Sequence, residues 1–199
     1  HWHAQLDSLP EMPGLIIANE FFDALPIRQF QRTERGWTER MIGIDPGTDQ
    51  FSFCLPPAPL IDAVELPPQT RHAPSGAIVE ICPAAMAISG EMARRIAANG
   101  GAALIIDYGY AQSRPGDTLQ AVRAHKFCDP LHDPGNADLT AHVDFAQLAA
   151  VAQSRGATVR GPGPQGEFLA RLGIRQRAES LMRQATPQIR QQITAAVDR

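Results

Sequence analysis

Lysine is almost missing from this sequence. Of its 18 basic residues, only Lys126 is a lysine and the rest are arginines. Against 21 acidic residues the net charge is −3. That balance excludes a general electrostatic pull toward nucleic acid or an anionic membrane. The arginine bias, with abundant alanine, fits the coding of a GC-rich bacterial genome. Cysteine is scarce as well. Cys54, Cys82 and Cys128 are odd in number, far apart and form no C-x-x-C. A zinc knuckle or disulfide framework is thereby disfavoured, and a reducing bacterial cytoplasm or organelle matrix fits. No apolar run approaches the ~20 residues of a membrane-spanning helix, so no membrane insertion is expected. No P-loop, no G-x-S-x-G and no G-x-G-x-x-G loop is read.

What is present reads as one globular domain over residues 1–199. Hydrophobic residues make up 44% and charged residues 20%, a composition that can bury a core and need not stay disordered. Leu15 to Ala18 predicts a short strand buried on both faces, as in a parallel sheet, and Ala102 to Asp107 predicts another. Between them, Ala84 to Asn99 carries Ile88, Met92 and Ile96 on one helical face, with Gly100 as its stop. A helix feeding a buried strand is half of a βαβ crossover. A second helix starts after Asp144, with Gln147 completing a capping box and Val143 and Leu148 a hydrophobic staple. "ATVR" (157–160) predicts a short strand and "GPGP" (161–164) a break. Helices are expected over Glu167–Leu172 and from Pro187 onward. Residues 27–75 differ in character. Phe30 and Arg32, Trp37 to Ile44, and Phe51 to Leu55 predict a three-stranded antiparallel meander followed by Pro-rich connections. The fold class is therefore α/β, with an inserted β-meander and C-terminal helices.

In open α/β sheets, ligands bind beyond the carboxyl ends of the strands. Two such ends are polar here: Asn19-Glu20 with Asp23, and Asp107-Tyr108. If the strands are neighbours, their carboxylates converge. Carboxylates beside Phe21, Phe22 and Tyr108 suit a cationic, planar group. The structural alternative has Glu20 and Asp23 capping a following helix and Asp107 bonding a loop. His142 precedes a helix start, where an imidazole can be held beside a cleft and act near neutral pH. His125 and His132 lie in a loop rich in Asp, but no compact metal-ligand motif appears and no metal is expected.

"LIIANEFFDALPIRQFQRTERGW", "VEICPAA", "ALIIDYGY", "GDTLQAVRAHKFCDPL", "PGNADLTAHVDF" and "QGEFLARLGI" together resemble the MidA-like family, in consistent order from Trp2 to about Leu181. These are class I S-adenosylmethionine-dependent methyltransferases with a Rossmann-like sheet. Mitochondrial members assist respiratory complex I assembly by dimethylating an arginine on one of its subunits. The resemblance implies that Trp2-His3 ends the third strand of that sheet, that Leu15–Ala18 is the fourth and that Ala102–Asp107 is the fifth. The family's Gly-rich cofactor loop and its terminal strand find no counterpart, so the chain reads as an interior portion of a partial sheet. The resemblance also implies roles. Glu20 and Asp23 would be the acids that fix an arginine guanidinium, much as "SEW" in other arginine methyltransferases is similar to this "NEF". Phe21 and Phe22 would narrow the slot, with Asp107 and Tyr108 as the opposite wall. Asn19 and His3 would face the cofactor S-adenosyl-L-methionine. "TAH" at 140–142 is similar to a Thr-His pair in those enzymes' substrate loop. The implied partner is a protein bearing an arginine, such as a complex I subunit, in a bacterial cytoplasm or, for eukaryotic relatives, the mitochondrial matrix. Two other readings are a non-catalytic assembly scaffold that binds through the insertion, and a nicotinamide-dependent oxidoreductase, for which no dinucleotide loop is read.

Overall fold

The structure, a computed structural model, describes residues 1–57 and 66–197. It divides into two compact units, 1–159 and 160–199. In the first, β1 (Gly14–Asn19) pairs in parallel with β6 (Gly101–Ile106), in register from Gly14 opposite Gly101 to Asn19 opposite Ile106. The helix that leads into β6 is α1 (Pro83–Asn99). The Cys82 side chain caps its start, accepting from the Ala85 amide, and Gly100 closes its end. Gly101 must be glycine: its φ is +114°, and a Cβ would lie 2.0 Å from the Gly14 carbonyl oxygen. Residues 20–26, between β1 and the next strand, form no helix. Glu20 and Asp23 therefore do not cap one, contrary to the structural alternative.

The insertion forms the expected meander: β2 (Arg28–Thr33), β3 (Gly36–Asp45) and β4 (Gln50–Cys54), all antiparallel. Asp45 builds the second turn by accepting the amides of Gly47 and Thr48. The sheet has a fourth member that the sequence pattern did not disclose. β5 (Ile78–Ile81) pairs antiparallel with β2, giving the order β4-β3-β2-β5. β5 runs straight into α1, so the insertion sheet is continuous in chain with the helix that delivers β6. Phe30, Trp37, Leu66, Val79 and Ile81 close a core on one face of this sheet. Residues 58–65 of the Pro-rich connections predicted after β4 lie outside the described residues, and Pro68–Thr70 form a short 3-10 turn.

A second core gathers Phe22, Ala85, Met92, Val143 and Leu148, with Ile16, Ala18 and Ile105 packed against it. These last residues give β1 and β6 one covered face. The expectation of two buried faces is corrected here: Leu15 and Ile17 stand 84% and 72% exposed. Side chains alternate along a strand, and among the described residues nothing covers the second face. Trp2 is fully exposed, and residues 1–3 form no strand, so the expected end of a third strand is absent. Further along, residues 7–10 are held by the buried Arg95 of α1, which donates to the carbonyls of Asp7, Leu9 and Pro10.

Short pairs complete the unit. β7 (Gly109–Tyr110) runs parallel to β11 (Val143–Asp144). β8 (Gln120–Arg123) lies between β9 (Lys126–Cys128) and β10 (Asp138–Thr140), antiparallel to both. Asp144 caps α2 (Phe145–Ser154) by accepting the Gln147 amide, and the Gln147 side chain returns to the Asp144 carboxylate. No strand forms over 157–160, contrary to expectation. The second unit holds α3 (Gln165–Arg171), α4 (Ile174–Met182) and α5 (Pro187–Val197). α4 was not foreseen; Gly173, at φ +86°, turns the chain from α3 into it. No helix among the described residues is long and apolar enough to cross a membrane.

Phe30 is fully buried at the centre of the insertion core. Phe30→Ala is expected to lower unfolding free energy by about 3–5 kcal/mol, read as a reduced urea midpoint at unchanged m.

Candidate functional site

β1 and β6 end side by side, so their polar termini meet. The Glu20 amide extends the pairing by one bond, donating to the Ile106 carbonyl at 2.8 Å. Glu20 then turns into the left-handed region with φ +46°, a conformation uncommon outside glycine. The turn directs the chain across the end of β6. There the Asp107 carboxylate receives it: Oδ2 accepts the amides of Phe22 at 3.0 Å and Asp23 at 3.2 Å. Oδ1 accepts the amide of Tyr108 at 3.0 Å. Phe22 anchors the loop in the core, while Phe21 stays exposed with its ring edge-on to that of Phe22.

Asp23 is 5% exposed. The Tyr108 hydroxyl donates a hydrogen bond to its Oδ2, and its Oδ1 is buried without a hydrogen-bond partner among the described residues. The His142 ring packs edge-on against Tyr108, with ring centroids 5.9 Å apart. Its Nδ1 is likewise buried and unpartnered among the described residues. The turn that carries it is fastened on both sides: Ala141 donates its amide to the Asp23 carbonyl at 2.9 Å and Val143 to the Tyr108 carbonyl at 3.0 Å. Gly109 permits this approach, because a Cβ there would lie 2.0 Å from the Val143 carbonyl oxygen.

The structure thus brings Phe22, Asp23, Asp107, Tyr108 and His142 into one cluster, flanked by exposed Asn19, Glu20 and Phe21. His3 makes no contact with it among the described residues; its Nδ1 lies 3.0 Å from the Ser8 hydroxyl. Among the described residues no group of three His, Cys, Asp or Glu is placed to hold a metal ion. Sequence reasoning missed Glu80 and Thr118. Glu80 is 5% exposed and is met by the Thr118 hydroxyl and amide, the Leu119 amide and the Gln29 side chain. Its only signal was a carboxylate between Val79 and Ile81 in an otherwise apolar strand.

One sequence reading needs correction. The G-x-G-x-x-G spacing does occur, as "GPGPQG" at Gly161–Gly166. It follows no strand, and Pro162 and Pro164 remove two of the amides that such a loop would offer a phosphate. It therefore gives no support to a dinucleotide site.

The chain matches a protein-family profile described as "Putative S-adenosyl-L-methionine-dependent methyltransferase" over residues 1–163. The chain belongs to this methyltransferase family. It is similar to the mitochondrial protein arginine methyltransferase NDUFAF7 of Mus musculus, 40% identical over 201 residues, covering 99% of this chain and 44% of the relative. The Homo sapiens protein of the same name is 39% identical, again over 99% of this chain and 44% of the relative. A crystal structure of a Burkholderia thailandensis protein bound to S-adenosyl-homocysteine aligns at TM-score 0.75 and 29% identity, covering 97% of this chain and 50% of that one. A second structure from that organism aligns at TM-score 0.78 and 30% identity, over 96% of this chain and 52% of its own. The chain spans about half the length of the relatives it matches. S-adenosyl-L-methionine is accordingly the cofactor of the family. Asn19 and Glu20 are both exposed at the end of β1, and neither side chain is engaged elsewhere among the described residues.

Burial, and then the charge of Asp23, hold the Asp107 carboxyl above the usual carboxylate range, against the pull of its three amides. Burial and the bond to Asp23 likewise hold the Tyr108 phenol above its ordinary value. Because folding raises the Asp107 pKa, protonation favours the folded state. The stability it gives is fully present below about 3.9 and is lost as pH rises through the raised value. In Asp23→Asn, the midpoint of the Asp107 carboxyl carbon signal is expected to fall toward the ordinary value. The Tyr108 phenol should ionise at lower pH, as read by absorbance.

Proposed function

We propose that the protein containing this chain transfers a methyl group from S-adenosyl-L-methionine to the guanidinium of a protein arginine. The observation that carries the reading is Asp23: a buried carboxylate with one oxygen held by Tyr108 and the other unpartnered among the described residues, beside the ends of two parallel strands. An unsatisfied buried carboxylate is unfavourable, and a guanidinium is the donor group whose planar fork suits it.

The cofactor, when bound, supplies an electrophilic methyl group on a sulfonium. Asn19 would face its amino-acid end, with His3 as the second proposed contact. Glu20, exposed and carried on a constrained backbone, would take one edge of the guanidinium while Asp23 Oδ1 takes another. Together they draw positive charge away from the attacking nitrogen and fix its direction. Phe21, Phe22 and Tyr108 would bound a slot for the planar group, and Asp107 would hold the loop that forms it. The nitrogen that gains the methyl group sheds one proton. His142 Nδ1, buried and without a partner among the described residues, is proposed as its acceptor.

The resemblance to the MidA-like family extends the proposal to a respiratory complex I subunit, or its bacterial counterpart, as substrate. The proposed location is a bacterial cytoplasm, a reading supported by the arginine bias and the three free cysteines. Glu20→Gln is expected to reduce methyl transfer about 10²-fold or more at unchanged melting temperature. Wild-type turnover in that variant would remove Glu20 from the mechanism. Calorimetry with S-adenosyl-L-methionine on the intact protein separates this reading from a scaffold, which need not bind it.

A further inference from the structure

The turn at Ala141–Val143 spends three consecutive amides on three separate segments. The outer two reach the main chain at Asp23 and Tyr108. The middle one, from His142 itself, donates to the Thr118 hydroxyl oxygen at 2.9 Å. It is the only one of the three that depends on a side chain. The Thr118 hydroxyl proton is committed to Glu80 Oε2, which leaves an oxygen lone pair free for the His142 amide. Thr118 is pinned a second time, through its own amide to Glu80 Oε1 at 2.9 Å.

Glu80 is itself held from the insertion sheet. Gln29 Nε2 donates to Glu80 Oε1 and to Asp117 Oδ1, both at 2.8 Å. The Arg40 guanidinium donates to Asp117 Oδ2 at 2.8 Å and to Gln29 Oε1 at 3.2 Å. Gln29 lies opposite both Arg40 and Glu80 in the sheet register, so β2, β3 and β5 present the three side chains on one face. The buried Glu80 carboxylate is thus fully hydrogen-bonded and has one geometry available to it. The path from the insertion to His142 consists of directed bonds at every step.

We propose that Thr118, oriented by Glu80, is a positioning residue that sets the His142 ring against Tyr108. It acts through His142, and the inference rests on the reading of His142 as the site's proton acceptor. The insertion then has a task at the site.

The test uses the intact protein with Thr118→Val, Thr118→Ser and Glu80→Gln. Valine keeps the shape of threonine and removes both hydroxyl bonds; serine restores them. Thr118→Val is expected to lower kcat roughly 10- to 10²-fold. Its KM for S-adenosyl-L-methionine should stay within about twofold, because His142 is not placed in the cofactor site. Thr118→Ser should recover most of kcat. Hydrogen exchange at the His142 amide should accelerate in Thr118→Val and return in Thr118→Ser. Wild-type kcat in a folded Thr118→Val protein would overturn the proposal, as would a serine variant that regains the slow exchange without regaining kcat. If the valine variant does not fold, Glu80→Gln carries the same test, with kcat and exchange expected to move together. Absence of methyl transfer in the wild-type protein would sink the catalytic reading instead. The His142 ring and amide signals then decide positioning, and no change in either on Thr118→Val overturns it.

Discussion

The Asp107 carboxylate is the constraint on which the rest of this site depends. It sits one residue beyond the end of β6 and accepts the amides of Phe22 and Asp23 from the chain that has just left β1. Parallel pairing brings the two strand ends together, but it does not say where either chain goes next. Asp107 does. By receiving two consecutive amides it bends the loop back across the strand end, drops Phe22 into the core and leaves Asp23 facing Tyr108. The cost is a carboxylate held close to a second one with partial loss of solvent, which the raised Asp107 pKa records. Three amide donors make that arrangement tolerable. A structural anchor and a candidate recognition group are therefore adjacent residues in space with different work.

Two sheets meet at this point without sharing a strand. The parallel pair supplies Asn19, Glu20 and Asp107. The antiparallel insertion sheet supplies Glu80 and, through it, the loop at 117–119. β5 belongs to the insertion sheet yet opens directly into α1, which delivers β6. A displacement of the insertion would thus be felt both along the chain and through the Glu80–Thr118 bonds. An insertion in an α/β domain is often treated as a cover over a finished site. Here it contributes to the placement of one of the site's own residues.

Much of this was legible in the residues. Apolar runs ending in polar residues marked β1 and β6, because a strand covered by a helix must be apolar and its end need not be. Turn residues marked the meander, and Asp144 with Gln147 marked the start of α2. The convergence of Asp23, Asp107 and Tyr108 followed from the parallel pairing once that was assumed. Other features had no local signature. β5 is four residues long, and nothing in "IVEI" says that its partner is β2. Glu80 reads as an oddity until Thr118, far along the chain, is known to lie beside it. α4 does carry a helical period, with Ile174, Ala178, Leu181 and Met182 at i, i+4, i+7 and i+8, but its apolar residues are sparse between charged ones and were passed over. Leu15 and Ile17 were read as buried because composition reports what a face could cover, not what covers it. The "GPGPQG" spacing shows the converse: a pattern of residues without the strand before it carries none of the chemistry.

The anchoring of the 141–143 turn has a consequence for how this region can vary. Bonds from main chain to main chain ask nothing of side-chain identity, so Ala141 and Val143 can change, within the limits of their burial, without losing their links to Asp23 and Tyr108. The histidine between them is tethered through a hydroxyl, and a hydroxyl can be lost in one substitution. The turn can therefore persist as a shape while the aim of its imidazole drifts. A lineage could keep the scaffold intact and retune, or abandon, the chemistry by changing one residue that is not in the turn at all.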